Sequence, residues 1–180
     1  DVKASAQILT GWSVDMWDTF RAEYRTGWHW RGPVQVIGFS DPNADADGRR
    51  VTADYLSYLA HHPATARRVA RRLAVKFVGD DPSDALVTRL AQVYLDQDTA
   101  IRPVLRALVA SDEFARSVGA KVRDPGEDLV ATYRALDVRF KRPPATGAGE
   151  RYAANQLLWQ VADMGIMPFG WPRPDGQPID

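Results

Sequence analysis

The chain has 180 residues, no cysteine, and 23 lysines and arginines against 23 aspartates and glutamates, so its formal net charge is zero. That length suits one domain, able to bury roughly 70% of its unfolded surface without covalent staples. The composition excludes disulfides, thiolate metal sites and a thiol nucleophile. The balanced charge leaves no global field to gather nucleic acid or acidic lipid, and no apolar run approaches the roughly 18 residues of a membrane span.

Residues 1–10 read as the end of a helix, with Val2, Ala6 and Leu9 on its inner side and Gly11 as terminator. Trp12, Trp17, Phe20, Tyr24, Trp28 and Trp30 then crowd together, with Gly27 and Gly32-Pro33 as punctuation, before Val34-Gln35-Val36-Ile37 offers a short strand. Large rings remove much apolar area from water, so these are expected to form a packed mini-core on a small hairpin; a stacking platform for sugar rings is the alternative. Residues 41–48 are a loop by composition. Asn43, Asp45, Asp47, Gly48 and Asp54 imitate the spacing of a calcium loop, but Asn stands for the first acid, Arg50 for the usual apolar residue, and Asp54 for the usual Glu. A turn whose acids favour the next helix N-terminus is the preferred reading. That helix begins near Arg50 and carries Val51, Tyr55, Leu56 and Leu59.

The most fully punctuated stretch is residues 61–82. Pro63 suits a first helical position, where its missing N–H has no partner to lose, and Gly79 closes the other end. Ala66, Val69, Ala70, Leu73, Ala74 and Phe77 recur at helical spacing as the inner face, while Arg67, Arg68, Arg71, Arg72 and Lys76 make a cationic ridge. Like charges at such spacing repel by a few tenths of a kcal/mol per pair, so Asp80, Asp81 and Asp84 are expected nearby. A further helix carries Leu86, Val87, Leu90 and Tyr94; after the turn at 96–99 comes another with Ile101, Val104, Leu105 and Leu108. Ser111 caps a short helix holding Phe114 and ended by Gly119. Asp124 and Glu127 frame a capping box, followed by Leu129, Val130, Tyr133 and Leu136 as an inward stripe. Residues 141–149 are the candidate linker, residues 152–164 a last helix with Leu157, Leu158 and Val161 inward and Gly165 as stop, and residues 166–180 an extended Pro/Gly-rich tail pinned by Phe169 and Trp171.

His62-Pro63-Ala64-Thr65-Ala66, with Leu73, Lys76-Phe77 and Asp81-Pro82, resembles the signature of the bacterial family catalogued as domain of unknown function 1800. Thr10-Gly11-Trp12 is similar to that family's TGW, and the segment from His29 through Gly32-Pro33 to Gly38 to its H-D-x-G-x-K-x-x-L-G run, with Trp30 and Val34 standing where the family has an acid and a lysine. Ser111-Asp112-Glu113-Phe114, Lys121-Val122-Arg123-Asp124-Pro125 and Gly170-Trp171-Pro172 follow in the family's order. The resemblance implies an often exported protein without an assigned reaction, and a chain that is the C-terminal part of a larger domain.

Chemistry is sparsely marked. His29, His61 and His62 are the only histidines, and none stands at a metal-binding or metalloprotease spacing. No nucleophile elbow or phosphate-cradling loop is present. His62 and Thr65 read best as helix-start caps; the sharper alternative brings His29 and His62 together as a metal pair or general base. The expected fold is all-α, a multi-helix bundle over residues 1–165 with a small aromatic-rich β-hairpin or irregular insertion near the N-terminus. The expected function is a non-catalytic binding or scaffold domain with no cofactor, contacting a protein or anionic polysaccharide through His29, His62, Thr65, Arg67, Arg68, Arg71, Arg72 and Lys76. Nucleic acid is disfavoured by the neutral chain and the want of a recognised motif. The runner-up is a hydrolase or carbohydrate-processing accessory enzyme using His29, His62 and nearby carboxylates.

Overall fold

The computed structural model describes residues 1–140, 153–165, 167 and 170. The candidate linker at 141–149 and the tail positions Phe169, Trp171 and Pro172 lie outside the described residues. Among those described, eight helices dominate: α1 Val2–Ile8, α2 Arg49–Ala60, α3 Pro63–Phe77, α4 Asp84–Asp96, α5 Ile101–Val109, α6 Asp112–Arg116, α7 Pro125–Ala135 and α8 Ala153–Asp163. Two antiparallel strand pairs, β1 Trp12–Val14 with β2 Ala22–Tyr24 and β3 Val34–Val36 with β4 Phe39–Asp41, replace the single hairpin expected near the N-terminus. The chain divides into two compact units, one of Asp1–Phe77 with Asp81–Arg116, the other of Val78–Asp80 with Ser117–Asp180.

The first unit holds two apolar centres. In one, Ile8, Val34, Val36, Val51 and Tyr55 pack together with Ala4, Phe39 and Leu59 around them, so α1, the β3–β4 pair and α2 share a core. The inner side of α1 is therefore Ala4 and Ile8, and the Tyr55 hydroxyl donates to the Ser5 hydroxyl at 2.8 Å; Val2, Ala6 and Leu9, expected inward, are exposed. Two turns of helix contain too few apolar residues to fix a phase.

The other centre is built by α3, α4 and α5. Pro63 opens α3 as expected, and the Ala64 N–H donates to Nδ1 of His62, so the residue before the proline caps the helix start. The buried side chains of α3 are Ala66, Ala70 and Ala74, a strict four-residue stripe. That phase leaves Val69 and Leu73 half-buried and Phe77 exposed, contrary to the broader stripe expected. Small residues on α3 let the larger Leu86, Val87, Leu90 and Tyr94 of α4, all buried, fill the space between helices. Val104 and Leu108 complete the layer from α5, with Ile101 left at the surface. Each fully buried leucine here contributes about 1.5–3 kcal/mol. Ser83 caps α4 by accepting from the Leu86 N–H, and Ser111 caps α6 by accepting from the Phe114 N–H.

Among the described residues of the second unit, few side chains are buried. Asp124 and Glu127 form the reciprocal capping box at the start of α7, with Pro125 at its first position. Leu129 and Tyr133 are half-buried and the Tyr133 hydroxyl donates to Gln160 of α8, while Val130 and Leu136 face solvent rather than inward. Val161 of α8 is buried; a Cβ added at Gly126 would stand 3.4 Å from it, which is how closely α7 and α8 approach there. Gly165, at φ +89°, ends α8 in a conformation favouring glycine.

Candidate functional site

Among the described residues, the segment between α1 and α2 carries most of the exposed aromatics and the one buried histidine, and both follow from local chain geometry. Gly11 adopts φ +94° just past α1, turning the chain into β1. On β1 and β2, Trp12 pairs with Tyr24 across the ladder, their rings edge-on at 5.1 Å. The base of this hairpin is fastened to the body. Trp12 Nε1 reaches the Thr52 hydroxyl, and the Gly48 N–H donates to the Tyr24 hydroxyl at 2.6 Å.

At the tip, one carboxylate organises the turn. Asp15 accepts from the backbone N–H groups of Trp17, Asp18 and Thr19 and from the Thr19 hydroxyl. These bonds, Thr19's backbone first, hold the Asp15 carboxyl below its usual range. The expected mini-core is not formed: Trp17 is 96% exposed and Phe20 70%, with Met16, Trp28 and much of Trp12 also open to solvent. Among the described residues, the hydrogen bonds that fasten the hairpin to the body are those of Trp12 and Tyr24 at its base, and the tip rings stand in solvent. Arg25 stacks on Trp28 at 4.4 Å from the ring centre and pairs with Glu23.

His29 is 8% exposed and stands where three segments meet. Its Nδ1 lies 3.0 Å from the Thr10 carbonyl oxygen. The Asn43 carboxamide donates from Nδ2 to the Trp30 carbonyl at 2.8 Å, so its Oδ1 accepts from His29 Nε2, also at 2.8 Å. The Thr10 hydroxyl donates to the Gln7 carbonyl and accepts from the Trp30 N–H. Gly32 N–H donates to the Asn43 carbonyl. Asn43 itself is 2% exposed and sits at φ +46°, a left-handed conformation that asparagine tolerates better than most residues. The result ties the end of α1, the stretch before β3 and the loop after β4 into one polar latch.

The loop at 41–48 is committed to that latch and to α2. Asn43, the first calcium-like position, turns its side chain inward; Asp54 is paired with Arg50, and Asp47 with Arg49. Arg49's side-chain bond, then its backbone N–H, lowers the Asp47 carboxyl to about 2. Among the described residues, no group of three or more histidines and acids is placed to hold a metal ion. Asp47 also accepts the Arg49 N–H, so this acid does serve the start of α2 as expected.

The remaining candidate residues are placed apart from the latch. His62 packs edge-on against Tyr58 and caps α3, and so shares no hydrogen-bond partner with His29. Thr65 is half-buried in the first turn of α3. Along the ridge, Arg67 pairs with Asp84 at 2.8 Å and reaches the Thr88 hydroxyl, and Arg71 lies 3.9 Å from Asp81. Arg68, Arg72 and Lys76 are exposed, and none of the three stands without a partner. Of the three acids expected to answer the ridge, Asp81 and Asp84 do so, while Asp80 is paired instead with Lys121. His61 lies with Nδ1 2.8 Å from the Ser57 carbonyl and Nε2 2.7 Å from Asp98. The Asp98 carboxylate, then the Ser57 carbonyl, raises its pKa.

A family model described as "Protein of unknown function (DUF1800)" matches residues 1–180. The chain belongs to the DUF1800 family. No curated protein and no solved structure matches it. In this DUF1800 chain the similar-looking TGW and His29-to-Gly38 segments meet in space, because Thr10 and Trp30 are members of the His29 latch. Asn43, Tyr24 and Gly48 were not singled out from the sequence as partners of His29. The one signal available was an asparagine within an Asp/Gly-rich loop, a residue type suited to left-handed backbone.

Proposed function

We propose that this DUF1800 chain is a non-catalytic binding or scaffold domain. The observation that carries this is the occupation of His29: one ring nitrogen is held against Thr10 and the other by Asn43, in a site where the ring joins three chain segments. A general base needs a nitrogen facing a reacting group; here both nitrogens face the protein's own oxygens. His62 is likewise used as a helix cap. The partner proposed is a protein or an anionic polysaccharide, met by the α3 ridge of Arg67, Arg68, Arg71, Arg72 and Lys76 with His62 and Thr65; His29, expected among them, is buried in the latch. The pairing of Arg67 and Arg71 with Asp84 and Asp81 favours a mostly neutralised ridge over a strongly anion-seeking one.

The test is metal analysis of the purified protein, with melting followed before and after treatment with EDTA. The expected result is no stoichiometric metal and an unchanged melting temperature. A tightly held metal, released by chelator with a fall in melting temperature that a His29→Gln variant abolishes, would replace this function with metal-assisted catalysis.

A further inference from the structure

We infer that the exposed rings of the β1–β2 hairpin tip and of the Thr26–Trp28 turn that follows it bind a neutral polysaccharide chain, an inference that rests on the proposed binding function and adds a second contact surface to it. The rings are exposed yet held. Asp15 satisfies three consecutive backbone N–H groups of the tip, and its own N–H donates to the Arg21 carbonyl, so Trp17 and Phe20 are displayed on a closed turn instead of a loose loop. A turn closed this way has little backbone freedom left to lose on binding, so only the side-chain torsions of Trp17 and Phe20 remain to be ordered. At the other end Trp28 is set by the Thr26–Trp28 turn and by the Arg25 guanidinium on its face.

Charge decides among the partners that use exposed rings. Between residues 12 and 30 there are three acids, Asp15, Asp18 and Glu23, against two arginines, Arg21 and Arg25. Single-stranded nucleic acid stacks on such rings but requires a cationic groove beside them. An anionic membrane surface also accepts interfacial Trp and Phe, but draws in polybasic segments and not a tip carrying Asp15 and Asp18. An apolar protein partner would have to cover Asp18 and Arg21, which flank Trp17 and Phe20, and burying charges without matched partners is costly. A neutral sugar chain meets both features: its C–H faces would lie on the rings, and its hydroxyls would donate to the Asp18 carboxylate and accept from Arg21, both exposed beside Trp17 and Phe20 in the chain, while these stay partly hydrated.

The probes are cellohexaose and maltohexaose, titrated into the full chain and followed by calorimetry and tryptophan fluorescence, with the sugar recovered and sized afterwards. Binding of either is expected, weakened about tenfold by Trp17→Ala and by Trp28→Ala and largely retained by Trp17→Phe; a tenfold loss corresponds to about 1.4 kcal/mol. Because Trp17 is almost fully exposed, the variants are expected to melt with the wild type, which separates lost contact from lost fold. No binding of either sugar, or binding untouched by the Trp17 and Trp28 variants, overturns the inference and leaves the scaffold function standing. So does a fluorescence response confined to phosphatidylglycerol vesicles or to self-association at high protein concentration. Shortened sugar on recovery overturns the non-catalytic function instead, while leaving the site in place.

Discussion

Gly48→Ala is a severe change for a single methyl group. Gly48 has φ −80°, which alanine adopts freely, so backbone strain contributes nothing. The added Cβ, however, would stand 2.1 Å from Cε1 and 2.4 Å from both nitrogens of His29. The ring must leave its place, because Thr10 and Asn43 hold it from the other sides. Forcing a packed group aside costs about 1–3 kcal/mol. Stranding Asn43, which is 2% exposed, without its partner adds about 1–3 kcal/mol. The sum is about 2–6 kcal/mol, a fall in melting temperature of roughly 4–24 °C for a chain of this size. Urea unfolding and calorimetry measure it. A second variant isolates the cause: in a His29→Ala background the ring is gone, and the added cost of Gly48→Ala should fall to within about 0.5 kcal/mol. A Gly48→Ala protein as stable as wild type, or one equally damaged with and without His29, would refute the steric reasoning.

Other substitutions probe the same physics elsewhere. Asp124→Ala removes the acceptor for the Glu127 N–H at the start of α7 and should cost about 1 kcal/mol by urea unfolding, while Asp124→Asn should recover most of it. Trp17→Ala should change stability by less than about 0.5 kcal/mol, as befits a ring open to solvent. The His61–Asp98 pair should give the stability a pH dependence of defined sign: the folded pKa of His61 is raised, so its contribution is complete below its unfolded value of about 6.5 and is lost as pH rises through the folded value. Melting curves from about pH 6 to 8 should therefore fall more for wild type than for Asp98→Asn, which keeps a residue suited to the φ of +49°. A parallel fall in both proteins would remove the pair as its source.

What was legible in the sequence is what depends on residues close together in it. The α4 stripe of Leu86, Val87, Leu90 and Tyr94, the Pro63 start of α3 and the Asp124–Glu127 box are set by spacings of three and four, and all stand in the structure. The acids answering Arg67 and Arg71 were foreseeable from repulsion on one helix face. The phase of α1 was not, since Ile8 is buried by β3 and α2, elements far away in the chain. Nor was the exposure of Trp17, Phe20 and Trp28, because hydrophobicity states only that a ring gains by burial, not that anything is available to cover it. The His29–Asn43 bond spans 14 residues through irregular backbone, where no periodic signal exists. Its partners emerge only when the β3–β4 pair and α2 bring the loop back.

The most direct test of His29 as a structural latch is residue-resolved hydrogen exchange on the wild type and on His29→Ala. The amides of Trp30, Gly32 and Gly48 donate to the Thr10 hydroxyl, the Asn43 carbonyl and the Tyr24 hydroxyl. In the wild type they should exchange far more slowly than open loop amides, and in His29→Ala all three should accelerate together while the amides of α4 keep their protection. Loop-like exchange of these three amides in the wild type, or protection that survives removal of the ring, would contradict the latch and return His29 to the residues free for chemistry.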